Sequence, residues 1–264
     1  MRKGYFTLWL LLAVAFALFT LLSSFDDFHF LGVHLKSSGM SDALFADVEE
    51  TVEGDSVTDS IAPVEEEIKS KFPVEVDTAA KTILFIGDSM LDGLSPRLSA
   101  YAAESGHTLY SVIWYSSSTE QWGKSDRLEK YIKDLHPSYI FICLGSNELM
   151  IKDIKEKRTK YVKTLVNTID TIPFLWIGPP NWREDTGIND MLQENIPEGS
   201  FFLSNGMTFK RRKDGAHPTV ESAALWMDSV ARWMPDHSNH PIIMNFPGDK
   251  KARPKRIFIH QPEN

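Results

Sequence analysis

Three short polar blocks interrupt the apolar second half of the chain: Gly87-Asp88-Ser89, Gly145-Ser146-Asn147-Glu148 and Asp214-Gly215-Ala216-His217. A serine hydroxyl is a weak nucleophile until a base takes its proton. His217 is a base of that kind. Asp214, three residues earlier, is spaced to share a face with it where the chain enters a helix. A carboxylate there fixes the imidazole tautomer and supports the imidazolium. The tetrahedral intermediate of acyl transfer also needs donors aimed at its oxyanion. The N–H of Ser89 at a helix start, the Asn147 side chain and a backbone N–H near Ser117 offer three. Each block also has a plainer reading by itself. Asp and Ser are common helix caps, so Ser89 alone reads equally as a cap. Asp-Gly favours a turn and Pro218 suits a first helical position. Asn147 alone reads as a loop or cap residue.

These residues need a scaffold that brings them together. Apolar runs consistent with buried parallel strands occur at Thr82–Ile86, Leu109–Trp114, Tyr139–Leu144 and Phe174–Ile177, with a short fifth at Phe201–Leu203. Helical patterns lie between them, at Leu94–Glu104, Asp126–Leu135 and Ile154–Ile172, and another follows Pro218. Strands alternating with helices predict a parallel sheet covered on both faces. In such sheets ligands bind beyond the carboxyl ends of the strands. Ser89 follows the first run, Ser116–Thr119 the second and Asn147 the third, while Asp214 and His217 precede the last helix. All are thereby expected at one rim.

Taken in this order, GDS at 87–89, GSN at 145–147 and DGAH at 214–217 resemble the SGNH (GDSL-type) hydrolases. The resemblance runs from about Lys81 to Met234. It implies a three-layer α/β/α fold with a central parallel sheet of flavodoxin-like type. It further implies Ser89 as nucleophile, His217 as general base, Asp214 as its partner and Asn147 as an oxyanion donor, with no metal and no cofactor. Two positions depart from the family pattern. The second-block glycine has no counterpart: aligning "SSTEQW" places Ser117 there, with Ser116 and Ser118 as neighbours that also carry an N–H. The third block reads Gly-Ser-Asn-Glu where Gly-x-Asn-Asp is commoner, which affects the residue after Asn147.

The segments outside that stretch differ in character. An uncharged apolar run from about Tyr5 to Leu22 follows Arg2 and Lys3. A membrane-spanning helix needs roughly 20 such residues. The run lacks the small-residue ending of a cleaved leader, so residues 1–25 read as a transmembrane anchor in preference to a signal. The basic residues before it place the N-terminus in the cytoplasm and the rest outside the cytoplasmic membrane, on the periplasmic side. Residues 26–80 read as a linker. Within 41–80 the acidic side chains number twelve, against Lys69 and Lys71 only, which accounts for the whole net charge of -8 and marks a solvated spacer. The hydrolase-like domain is expected over 81–235. Residues 236–264 form a basic tail containing "KKARPKR", in which "RIFIH" at Arg256–His260 has the pattern of a short edge strand. The acidic balance disfavours a nucleic-acid partner. The single cysteine, Cys143, lies in an apolar run and reads as a buried hydrophobe.

The resemblance and the anchor together imply a serine esterase acting on acyl esters, with acetyl groups on an envelope polysaccharide as the expected substrate. Three alternatives remain, of which the first uses the same triad. The first is transfer of the acyl group to an envelope glycan, beside a membrane acyl-donor protein. The second is a glycan-binding module without catalysis. The third is a membrane tether whose acidic linker holds a partner. Other polar residues stand apart from the site. His107 and His136 precede strands and read as surface residues at the opposite rim. Asn181 and Trp182 follow the fourth strand and read as pocket wall or loop packing. Arg211, Arg212 and Lys213 read as a solvated loop, or as cations for an anionic substrate.

Overall fold

The computed structural model describes residues 28–30, 33–35 and 74–262. The chain divides into two compact units, Met1–Glu65 and Glu66–Asn264. Of the first, the described part is an antiparallel pair, β1 (Phe28–Phe30) and β2 (Val33–Leu35), with His29 opposite His34. The expected anchor at Tyr5–Leu22 and the acidic spacer up to residue 73 lie outside the described residues. Among the described residues no helix is long and apolar enough to cross a membrane.

The second unit is built on a six-stranded sheet. In chain order its elements are β3 (Thr82–Gly87), α1 (Leu91–Glu104), β4 (Thr108–Trp114), α2 (Thr119–Lys124), α3 (Arg127–Leu135), β5 (Tyr139–Cys143), α4 (Ile154–Ile169), β6 (Phe174–Ile177), α5 (Ile188–Asn195), β7 (Phe201–Phe202), α6 (Val220–His237) and β8 (Arg256–His260). The strand order is β7-β6-β5-β3-β4-β8, and every pairing is parallel.

The near-continuous apolar strands follow from this burial. Successive side chains point to opposite faces of a sheet. Ile83 and Phe85 of β3, Tyr139 and Phe141 of β5 and Leu175 and Ile177 of β6 join the core beneath α1 and α6. Leu84, Ile86, Ile140, Ile142 and Trp176 join the core beneath α2 to α5. With both faces covered, alternation with polar residues would place hydroxyls or charges in apolar surroundings, and each fully buried Leu, Ile or Phe contributes about 1.5–3 kcal/mol.

Two helices escape a pattern reading, α2 and α5. They span six and eight residues and are mostly polar. Beyond the expected domain end at 235, α6 continues to His237, and the tail returns to the sheet. There β8 pairs in register with β4, Ile257 beside Ser111 and Ile259 beside Ile113. At the other end of the stretch, Asp77 N–H donates to the Pro241 carbonyl and Ile243 N–H to the Asp77 carbonyl. His107 is not a surface residue: it is 7% exposed. Its Nδ1 accepts the Lys81 N–H at 3.1 Å, and its Nε2 lies 2.8 Å from the Ile243 carbonyl. Burial lowers its pKa, which keeps the ring neutral and able to accept and donate at once. His136 takes a left-handed conformation (φ 46°) and its N–H closes the end of α3 on the Ile132 carbonyl. Cys143 is buried, and burial raises its thiol pKa well above the ordinary value.

Candidate active site

The turn that presents Ser89 begins with a close approach. A Cβ at Gly87 would lie 2.2 Å from the Cys143 carbonyl oxygen and 2.4 Å from Leu91 Cδ1, so only glycine fits between β3 and β5 there. The Asp88 N–H then donates to that same Cys143 carbonyl at 3.3 Å. Asp88 is fully buried, and its Oδ1 accepts the Met90 N–H at 2.9 Å. The N-cap of α1 is Met90, and no side chain caps the helix, so neither Asp88 nor Ser89 serves as the cap that the block suggests. The Ser89 hydroxyl points elsewhere: its Oγ lies 2.8 Å from His217 Nε2.

His217 is held from three sides. Asp214 Oδ1 accepts the backbone N–H groups of Ala216 and His217, each at 2.9 Å, and Oδ2 lies 3.0 Å from His217 Nδ1. These bonds, led by the His217 and Ala216 N–H groups, hold the Asp214 carboxyl down at about 2. A carboxylate at Nδ1 fixes the proton on that nitrogen and leaves Nε2 free to accept from Ser89. The chain around the histidine is bound back on itself by Arg212 N–H to the His217 carbonyl (2.7 Å) and Thr219 N–H to the Lys210 carbonyl (2.8 Å). The Thr219 hydroxyl then caps α6 by accepting from the Ser222 N–H.

The arginines before Asp214 have structural partners. Arg211 donates to the Ala216 carbonyl and, at 3.0 Å, to the Asn181 carbonyl. Arg212 Nε donates to the Pro218 carbonyl at 3.1 Å. Both guanidinium groups brace the loop that carries the base. Trp182 Nε1 donates to the Ser146 carbonyl at 3.0 Å, tying the loop after β6 to the loop after β5.

The oxyanion side is more tightly built than the sequence suggests. Among the described residues the Ser89 N–H has no acceptor, as an oxyanion donor requires. Asn147 Nδ2 donates to the Ser117 carbonyl at 2.9 Å and lies 3.5 Å from Asp88 Oδ2. Ser117 is a correction. It is fully buried, its N–H donates to the Trp114 carbonyl at 3.1 Å, and its hydroxyl accepts from Trp122 Nε1 at 3.0 Å. The turn after β4, in which Ser116 takes φ 58°, directs the Ser117 amide back into the strand end. The amide of Ser118, at the N-cap of α2, has no acceptor among the described residues and replaces Ser117 as the second-block candidate.

Two buried carboxylates, Asp88 and Glu148, hold these loops. Asp88 Oδ2 accepts from the Ser146 hydroxyl as well as facing Asn147. Burial is the main cause that pushes its pKa up to about 6. Glu148, also fully buried, accepts the N–H of Thr119 at 2.8 Å, the Thr119 hydroxyl at 2.9 Å and Arg158 Nε at 2.8 Å. Burial raises its pKa, opposed by those donors. The sequence signal was present in the glutamate that follows Asn147, a charged residue one step from the site.

No protein-family model matches the sequence, and no curated protein matches it. Solved structures do resemble the fold. A psychrotrophic esterase from a Pseudoalteromonas species, inhibited by monoethylphosphonate, shares 16% identity over 58% of this chain and 97% of its own, with a TM-score of 0.42. A lipase/acylhydrolase from Enterococcus faecalis shares 15% over 58% and 95%, with a TM-score of 0.45. A two-domain esterase active on acetylated mannans shares 16% over 58% and 48%, with a TM-score of 0.44. At these identities the likeness is one of chain path, and the chemistry rests on the site itself. There, Ser89 and His217, two of the residues that carry the SGNH resemblance, stand in direct contact, with Asn147 on the neighbouring loop.

Proposed function

We propose that this protein is a serine esterase that cleaves acyl esters through an acyl-enzyme. The observation that carries the reading is the relay from Ser89 Oγ to His217 Nε2 at 2.8 Å and from His217 Nδ1 to Asp214 Oδ2 at 3.0 Å. Ser89 Oγ attacks the ester carbonyl carbon while its proton passes to His217 Nε2. Asp214 balances the imidazolium charge that forms. The carbonyl oxygen, now negative, is met by the Ser89 N–H and the Asn147 amide, with the Ser118 N–H beside them. On collapse, the alkoxide leaves with the proton from His217. A water, deprotonated by the same nitrogen, then cleaves the acyl-enzyme and restores the serine.

The apolar run after Arg2 and Lys3, and the acidic spacer behind it, support placing this reaction at the outer face of the cytoplasmic membrane. There the substrate is an acyl ester carried by the cell envelope. The test is hydrolysis of p-nitrophenyl esters and of O-acylated envelope polysaccharide by the wild-type chain and by Ser89→Ala. The reading expects at least a thousandfold loss on both substrates. A variant that retained full activity would end it.

A further inference from the structure

A groove of about 1150 Å³ lies against the flank of α1. Its upper end is formed by Leu91 and Asp92 and by Val220 and Glu221, the first residues of α1 and α6. These are the helices that directly follow Ser89 and His217. From there it descends past Pro96 and Ala100 toward the start of β8, because α1 runs antiparallel to the strands. Ten residues of α1 give it a length of about 14 Å. Its floor is apolar, with Ile113 and Ile257. Ile257 shares the α1 face with its register partner Ser111, whose hydroxyl lies 2.6 Å from that of Ser95 on α1. On this face β8 leaves Ile257 and Ile259 46% and 55% exposed, and Val220 at the upper end is 63% exposed.

The far wall is the tail, Asp249–Pro254, which lies outside the SGNH-like stretch. Arg97 fixes it in place. The Arg97 guanidinium donates to the Gly248 carbonyl at 2.7 Å and grips Asp228 of α6 through Nε and Nη2 at 2.6 and 3.1 Å. Phe246 and Tyr101 stack on the same guanidinium. Lys250 pairs with Glu104 at 2.6 Å, so its methylene stem lines the groove while its charge is engaged at the edge. Ser95 and Arg97 partway down α1 are held by Ser111 and by Asp228 and Gly248, and the remaining charges are those of Asp92, Glu221 and the tail. A trough of this size with an apolar floor suits an extended hydrocarbon chain.

We propose that the groove binds a linear apolar chain of the ester substrate, with the scissile bond at Ser89 and the chain running down between α1 and the tail. The proposal rests on the esterase reading and names its substrate class: esters with a chain of about eight to ten carbons, not acetyl esters of a short alcohol. The tail, absent from the family pattern, sets that selectivity.

The experiment measures kcat/KM of the full chain on p-nitrophenyl acetate, butyrate, octanoate and decanoate, and on octyl acetate beside ethyl acetate. Burial of each methylene gains up to about fourfold, so the octanoate arm or the octyl arm is expected to exceed its short counterpart by tenfold or more. A gain in the first assigns the chain to the acyl half, and in the second to the alcohol half; either supports the groove. Ala224→Trp and Ala252→Trp, which fill it from α6 and from the tail, are expected to remove the gain while leaving acetate turnover within twofold. Equal rates for short and long esters, or a gain untouched by both variants, would overturn the proposal. Calorimetric binding of decanoate and acetate to Ser89→Ala gives the same comparison without turnover. Decanoate is expected to bind at least tenfold more tightly, with the difference lost in Ala252→Trp; equal binding would also overturn it. Absence of any ester hydrolysis beside tight decanoate binding would defeat the esterase reading alone.

Discussion

The carboxylate of Glu148 accepts both the backbone N–H and the hydroxyl of Thr119, at 2.8 and 2.9 Å, with no exposure to solvent. This one side chain fastens the loop after β4 to the loop after β5, and each loop holds a candidate oxyanion group. Arg158 completes the arrangement, bonded to Glu148 at 2.8 Å and to Glu120 at 2.7 Å.

Glu148→Gln keeps the shape but removes the charge opposite Arg158. The expected outcome is a kcat about 10–100-fold lower with KM little changed, because the loss is in transition-state positioning. Glu148→Ala leaves Arg158 and the Thr119 N–H without their buried partner and is expected to cost about 3–5 kcal/mol in urea unfolding. An unchanged kcat in Glu148→Gln would show that the loops hold their positions without it.

Asp214 keeps its charge far below neutral pH, since its carboxyl is held at about 2. The folded value lies below the ordinary 3.8, so its stabilising effect is present above the unfolded pKa and is lost as pH falls through about 2. Its carboxyl carbon resonance is therefore expected to titrate near pH 2, not near 4. Asp214→Asn can still cap one N–H but no longer fixes the His217 tautomer. A loss of about 10²–10⁴ in kcat is expected; a loss under tenfold would remove Asp214 from the relay.

Asp88 shows the opposite sign. Burial lifts its pKa to about 6 in the fold, so between about 3.8 and 6 the folded chain holds a proton that the unfolded chain has released. Its contribution falls as pH rises through that window. Asp88→Asn does not titrate. Relative to wild type, the variant is expected to gain about 2–3 kcal/mol in unfolding free energy between pH 3.5 and pH 7. A stability difference independent of pH would mean that Asp88 is ionised at its ordinary value.

The central strands were legible because burial on both faces leaves a continuous apolar run, as in Tyr139–Cys143. Ser89, Asp214 and His217 were legible because short local spacings carry them: a strand-to-helix turn and a three-residue loop. Ser117 was not, since the direction of one amide depends on the positive φ of Ser116 beside it. Neither was the role of Glu148, whose partners Thr119 and Arg158 come from other elements. His107 reads as surface by position, yet the returning tail covers it through Ile243. A single local dihedral sets the first of these and contacts across longer sequence separations the other two, and single-sequence patterning reports neither.

The contact between Ser89 and His217 is tested most directly by trapping the nucleophile. The chain is treated with a p-nitrophenyl alkylphosphonate, and the adduct is located by peptide mass spectrometry. One phosphonyl group is expected on the peptide containing Ser89, formed at least 10²-fold more slowly in His217→Ala. No adduct, an adduct on another residue, or labelling at an unchanged rate without His217 would contradict the account.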